Sequence, residues 1–369
     1  MVISHGLGGS RNTYSQIAGS IASHGVVVVA MDHRDGSSPI QYVRTENKEQ
    51  VAVVNYMSYP HSPSEEVFKG RDDQLRIRLW ETSLVFEAIL GIDKGRDIRN
   101  LDPNSASWRK NDFVDVLSMF KDRLDVHRPG AVAWAGHSFG AVTMVQLQKS
   151  VYYRDTVAKP GYEALLKPSQ DCNIVNQLVS SSPLVLLDMW TLPLASPQTR
   201  WLRDQPMPCY SPAGPGGSTL LSILSEEFFK WQTNTRYTIQ ILSPPENSDY
   251  SGLRLFYPAK SLHAAQSDFL LLFPRLVKML LPTEDPLRLI RLNCRATLQH
   301  LRDNGVKVAR TSALDMELQH LGGDDGAAEG EMIQDEKILA VSDAVQGWVV
   351  VEHDGSSGYG PDDSFPDLN

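Results

Sequence analysis

Cysteine is scarce in this chain of 369 residues, and the three present, Cys172, Cys209 and Cys294, lie far apart. An odd, scattered set excludes a disulfide framework and argues for reduced thiols in a cytoplasmic setting. No apolar run approaches the roughly 20 residues that cross a bilayer, and no basic leader precedes the first apolar segment, so no secretory signal is read. Asn-x-Ser/Thr sequons are missing altogether. So are His-Glu-x-x-His, a calcium loop and any clustered Cys/His ligands, which leaves no expected metal or cofactor. The glycine-rich His5-Gly6-Leu7-Gly8-Gly9 is not followed by Gly-Lys-Ser/Thr and lacks the dinucleotide spacing, so phosphate cradling is excluded there. Lys and Arg form no cluster of the kind that tracks nucleic acid.

Charge of one sign is unevenly placed. The net charge of -9 hides a tail, residues 311–369, with fourteen acidic residues against the single Lys337. Residues 1–310 hold thirty-four Lys and Arg against thirty Asp and Glu, a slightly basic body suited to lipid headgroups. Composition therefore divides the chain into one folded domain, 1–310, and an acidic, largely disordered tail, 311–369. Within the tail, Ile338 to Val341 and Trp348 to Val351 are apolar enough to dock as a hairpin.

What is present centres on Gly136-His137-Ser138-Phe139-Gly140. It follows the apolar run Ala131 to Ala135 and precedes a helix-compatible stretch with Val142, Val145 and Leu147. Gly-x-Ser-x-Gly between a strand and a helix holds a serine in a strained corner with its hydroxyl exposed, which makes Ser138 the candidate nucleophile of a serine hydrolase. The competing reading is an ordinary glycine-rich turn.

A serine hydroxyl needs a histidine to take its proton and a carboxylate to orient that histidine. On folds with this elbow the chain order is Ser, acid, His. Of His263, His300, His320 and His353, only His263 lies in a loop just before an apolar helix; His300 falls in an amphipathic helix and the others in the tail. Asp188 ends the apolar run Ser182 to Leu187, as a catalytic residue at a strand's carboxyl end would. Asp171, Asp204, Glu246 and Asp249 read as surface charges, and a turn or cap role for Asp188 stays open. Oxyanion donors are expected from the amides of Leu7, in the early glycine loop, and Phe139, after the nucleophile.

Strands are expected at Val2 to Ser4, Val26 to Met31, Ala131 to Ala135, Pro183 to Leu187, Met207 to Tyr210 and Tyr237 to Leu242. Helices are expected near Tyr14 to Ser23, Asp73 to Leu90, Asp112 to Leu124, Gly140 to Lys149, Leu220 to Trp231, Asp268 to Leu281 and Pro286 to Arg302. Such alternation implies a mostly parallel sheet with helices on both faces. Asp268 to Leu281 is apolar on nearly every side, which fits either a lipid interface or a buried helix. The Pro/Gly-rich Ser211 to Gly217 reads as an extra loop near the site.

With these residues in place the chain resembles the platelet-activating factor acetylhydrolases of the plasma and intracellular type II group, within the α/β-hydrolases. The resemblance rests on Ser4-His5-Gly6-Leu7-Gly8, on Ala22 to Val26 leading into Asp32-His33-Arg34-Asp35, on Gly136 to Ala141, on Leu187-Asp188-Met189-Trp190 with Pro193-Leu194, and on Ser261-Leu262-His263 with Ser267-Asp268-Phe269. It implies a triad of Ser138, Asp188 and His263 and oxyanion amides from Leu7 and Phe139. It also implies calcium-independent hydrolysis of short or oxidised sn-2 acyl groups of phospholipids, with peripheral membrane or lipoprotein-surface contact. Family members carry further strands ahead of the His-Gly-Leu-Gly loop, so the resemblance implies that amino-terminal strands are missing here. The alternatives are a generalist carboxylesterase or polyester hydrolase, and a non-catalytic lipid-binding protein of the same fold. Oligomeric state is not legible.

Overall fold

A computed structural model describes residues 1–44, 51–98, 116–246, 248–249, 252–272, 285–312, 338–340 and 345–352, with 275, 277, 279 and 283 singly. Seven strands form one sheet in the order β2-β1-β5-β6-β7-β8-β9. They are β1 (Val2–Ser4), β2 (Val29–Met31), β5 (Trp134–His137), β6 (Leu184–Leu187), β7 (Leu220–Ile223), β8 (Arg254–Pro258) and β9 (Trp348–Val350). Every pairing is parallel except β8 with β9. A separate antiparallel ribbon joins β3 (Ile40–Arg44) to β4 (Val51–Asn55). The mostly parallel sheet with helices packed on it is what the alternation of elements predicts, and it is consistent with the α/β-hydrolase fold that the resemblance implies.

The central strands are buried on both faces, which is why they read as continuous apolar runs. One face packs under α1 (Ser15–Ser23), where Ile17 and Ile21 meet Ile3, Ala135 and Leu187. The other packs under α2 (Glu65–Asp93) and α3 (Phe139–Tyr152), where Leu79 and Phe86 join Trp134 and Val142. Ser64 caps α2, its hydroxyl accepting from the Val67 amide, with Glu65 and Glu66 in the first turn. Strand order reverses between β1 and β5, and the crevice beyond the carboxyl ends at such a reversal is where open α/β sheets place ligands. The glycine loop after β1 and the elbow after β5 both open there.

Several elements differ from the sequence reading. Tyr237 to Leu242 alternates like a strand, yet it lies in the helix α4 (Gln232–Leu242). Its buried set, Asn234, Thr235, Tyr237, Thr238, Ile241 and Leu242, follows the helical spacing, so packing overrides the β-branched composition. Leu220 to Trp231 is not one helix: Leu220–Ile223 is a fully buried strand, and Ser225 then caps a short helix, Glu226–Lys230. A four-residue buried strand carries no period to tell it from a helix. Met207 to Tyr210 makes a 3-10 turn, because Pro208 cannot donate to a ladder. Ser211 to Gly217 leads into the amino end of β7, opposite the crevice, so it is not a loop near the site. The strands β3, β4 and β8 were not anticipated. The expected helix Asp112 to Leu124 falls partly outside the described residues, with a 3-10 turn over Val116–Phe120. Asp268 to Leu281 is also partly outside them; Phe269–Leu272 is helical.

The last long helix, α5 (Pro286–Asp303), covers the α1 side, burying Leu292, Ala296 and Leu298. Residues assigned to the tail by composition supply β9, whose Trp348 is fully buried, stacks on Phe256 at 5.5 Å and donates its indole N–H to the Ile338 carbonyl at 2.8 Å. Among the described residues, this segment adds one antiparallel strand to the edge of the main sheet beside β8. Replacing Trp348 by Ala should lower the unfolding free energy by about 3 to 5 kcal/mol, measured by urea denaturation.

Candidate active site

Ser138 follows β5 and precedes α3 with φ 56° and ψ −117°, a backbone conformation strained for any residue with a Cβ. The turn closes only because its neighbours are glycines. A Cβ on Gly136 would sit 2.2 Å from the Gly140 carbonyl carbon, and one on Gly140 would sit 2.1 Å from the Ser4 carbonyl oxygen. The corner is pinned from the next strand, as the Ser138 amide donates to the Leu187 carbonyl at 2.8 Å.

Asp188 ends β6, one strand over, and also has positive φ, 45°. It is fully buried, and its amide donates to the Ile223 carbonyl at 2.9 Å. One carboxyl oxygen accepts from the Ser225 amide; the other is 2.9 Å from Nδ1 of His263. Burial pushes the Asp188 pKa up, while His263 and Ser225 oppose the rise. A carboxylate can only accept, so Nδ1 of His263 carries the proton and Nε2 presents its lone pair.

His263 opens the 3-10 turn His263–Gln266 after β8. Its ring is stacked on Phe228 at 4.2 Å and packs against His137 at 4.5 Å. Its amide donates to Glu227 at 2.7 Å, which ties the loop to the short helix following β7. The side chain keeps 31% exposure, so the imidazole reaches solvent while its partner does not. His300, in contrast, is sealed in α5, with its pKa pushed down to about 3 by burial. His320 and His353 lie outside the described residues. Asp171, Asp204 and Glu246 are exposed.

The glycine loop after β1 packs directly on the elbow: a Cβ on Gly6 would be 3.0 Å from that of Ser138. The amides of Gly6, Gly8 and Gly9 are engaged, by the Tyr14 hydroxyl, the Ser37 carbonyl and the Gly6 carbonyl. Among the described residues the Leu7 amide has no such acceptor. Phe139 is the first residue of α3, where helix amides have no partner within the helix.

A buried layer that sequence reasoning missed holds this loop. Arg78 of α2 donates to Asp35 (2.5 Å), to the His5 carbonyl (2.8 Å) and to the Ser37 hydroxyl (2.5 Å), with its guanidinium 4.4 Å from the Phe139 ring centre. Burial alone would raise Asp35, but Arg78 and Ser37 hold its carboxyl below the usual range. Beside it, His33 joins the Ser4 hydroxyl at 2.8 Å to Glu81 at 3.0 Å, and burial lifts Glu81 to about 7. Tyr14 accepts from the Gly6 amide at 3.0 Å and lies 2.8 Å from Nδ1 of His137. Helix α2 buries four charged residues, Asp72, Arg78 and Glu81 against partners far away in sequence and Arg71 among aromatic rings, and no local pattern announces them.

His137, Asp188 and His263 bring donor atoms within 4.8 Å of one another, a spacing a metal ion could use. The set does not fit one well. Both Asp188 oxygens and Nδ1 of His263 are spent on each other and on Ser225, and Nδ1 of His137 is spent on Tyr14.

Among known proteins, the family model described as "Platelet-activating factor acetylhydrolase, isoform II" matches residues 1–313. The chain belongs to that family. A Schizosaccharomyces pombe protein named "Putative phospholipase A2" is 28% identical over 331 residues, covering 83% of this chain and 68% of that protein. The platelet-activating factor acetylhydrolase of Bos taurus is 36% identical over 151 residues, 40% of this chain and 31% of its own length. That of Canis lupus familiaris is 34% identical over 150 residues, with the same coverage. The match to the two mammalian relatives thus spans less than a third of their length.

Two outcomes follow from the buried layer. Tyr14→Phe leaves the Gly6 amide unsatisfied and frees the loop beside Ser138, so kcat on a soluble ester should fall about tenfold with KM nearly unchanged, measured by steady-state kinetics. For Glu81 the folded pKa is raised above its unfolded value, so its contribution is fully present below about 4.5 and lost as pH rises through about 7. Thermal melts at pH 5 and pH 8 should therefore differ less in Glu81→Gln than in the wild type.

Proposed function

We propose that this chain is a serine esterase that hydrolyses short or oxidised sn-2 acyl groups of phospholipids, without calcium, through an acyl-enzyme. The single observation that carries the reading is the buried Asp188 bonded to His263 at the strand end beside the strained Ser138. Ser138 attacks the ester carbonyl while Nε2 of His263 takes its proton. The charge that forms on the imidazole is stabilised by Asp188 through Nδ1. The amides of Leu7 and Phe139 receive the oxyanion, each donor being worth about 3 to 4 kcal/mol in the transition state. His263 then returns its proton to the leaving alcohol, and a water deprotonated by the same nitrogen releases the acid.

Membership in an acetylhydrolase family supports the phospholipid ester as substrate class, as do the names of the relatives. No described helix is long and apolar enough to cross a membrane. Exposed Phe269, Leu272 and Met279, after the His263 loop, support contact with a lipid surface from one side. The related reading, a generalist carboxylesterase, shares all of this machinery and differs only in preferring no lipid.

A fluorophosphonate probe should label the wild type and not Ser138→Ala, which should lose turnover by about 10^4-fold or more without a lower melting temperature. Turnover retained in Ser138→Ala would reject the assignment. A high ratio of rates on acetyl over long-acyl phosphatidylcholine is expected, and a ratio near one selects the generalist.

A further inference from the structure

Arg71 is fully buried in α2, two turns ahead of the loop-clamping Arg78, and among the described residues it has no carboxylate partner. Its Nη1 donates to Gln74 at 2.7 Å. Among the described residues its Nε and Nη2 have no hydrogen-bond partner. Those two nitrogens form the planar edge that grips a carboxylate or phosphate with two parallel bonds. Neither nearby carboxylate is recorded in an ion pair with it: Asp72 accepts from Ser196 at 2.5 Å through Oδ2 and its Oδ1 is itself unpartnered among the described residues, and Asp35 is committed to Arg78.

The surroundings are aromatic and adjoin the candidate nucleophile. The guanidinium carbon lies 5.2 Å from the ring centre of Tyr59, 5.7 Å from that of Phe139 and 5.1 Å from that of Trp190. Phe139 follows Ser138 in the chain, and the Trp190 amide is 3.4 Å from the Ser138 carbonyl. Cation–π contact recovers part of the cost of burying this charge. It leaves the donor edge unsatisfied, and an uncompensated buried charge is among the costlier features a fold can carry. Burial accordingly lowers the Arg71 pKa.

The outer wall is thin. Tyr59 lies on Gly70, where a Cβ would meet its ring at 2.4 Å, and His61 packs on Trp190 at 5.2 Å while remaining exposed. Both belong to the segment between β4 and α2.

We propose that the free Nε and Nη2 edge of Arg71 binds an anionic oxygen of the substrate, reached when Tyr59 turns aside. This rests on the esterase reading and adds how that site selects its ester. The anion has two possible sources: the headgroup phosphate, or a carboxylate ending an oxidised acyl chain.

The test compares three esters: 1-alkyl-2-acetylglycerol, the same molecule bearing phosphocholine, and a neutral glyceride whose sn-2 chain ends in a carboxylate. Arg71→Met should lower kcat/KM about ten- to hundredfold on one or both anionic esters, through KM, and far less on the neutral one. Arg71→Lys should restore part of the loss. Loss on the phosphocholine ester alone identifies the headgroup, and loss on the carboxylate ester alone identifies the acyl end. Equal loss on all three, or none, overturns the proposal. Should Arg71→Met fail to fold, the wild type decides: dodecyl phosphate or dodecanoate should compete with 4-nitrophenyl acetate at least tenfold better than dodecanol, and parity with dodecanol for both sinks it. A wild type inert on the neutral ester and unreactive with fluorophosphonate would sink the esterase reading instead, while a melting-temperature rise with the alkyl phosphate would still report the anion site.

Discussion

Two chain exits compete for one space at the centre of this molecule. The backbone leaving β1 and the backbone leaving β5 turn against each other so closely that Gly140 has no room for a methyl group beside the Ser4 and His5 carbonyls, and the elbow folds back so tightly that Gly136 has none beside Gly140. Van der Waals contact at that crossing sets the height of the elbow above the sheet and brings the Gly6 segment onto Ser138. The same crossing leaves Ser138 its positive φ. Strain of this kind persists only where surrounding structure over-determines it, and the hydrogen bonds from Ser138 to β6 and from Asp188 to β7 supply that. Each strand thus locks the corner of its neighbour.

The cost of positioning is carried largely by buried charge. Arg78, Asp35, His33 and Glu81 form a connected set beneath the glycine loop, sealed from solvent. A buried ion pair contributes little net stability against well-packed apolar side chains of the same volume. What this one supplies is geometry: three donors of a single guanidinium tie the start of the glycine loop, at the His5 carbonyl, to Asp35 and Ser37 in the segment after β2.

The elbow and the positions of the candidate acid at a strand end and of the candidate histidine after β8 were legible because each couples a residue type to a recognisable local context. Ser138, Asp188 and His263 all fall at strand ends or loops, where a short motif is visible in one dimension. The general architecture was legible for the same reason. What stayed hidden was whatever depends on partners far away in sequence. Arg78 reaches Asp35 and His5, and Tyr14 reaches His137, across more than forty and one hundred and twenty positions. The segments Leu220–Ile223 and Gln232–Leu242 were misread because a short buried strand has no period and a packed helix can override strand-like composition. The ribbon of β3 and β4, exposed at Tyr42 and Val53, carries little signal in the sequence, because β3 alternates between exposed and half-buried positions but β4 does not.

The edge strand β9 has a kinetic consequence. Its partner β8 ends at Pro258, while the residues that cover it arrive roughly ninety positions later. At a synthesis rate of about 5 to 20 residues per second, the open edge of β8 waits roughly 5 to 20 seconds on the ribosome before its last neighbour emerges. An unpaired strand edge is a template for any extended chain nearby. The acidic stretch that separates the two strands leaves the ribosome first, and its charge would repel other nascent chains carrying the same stretch during that interval.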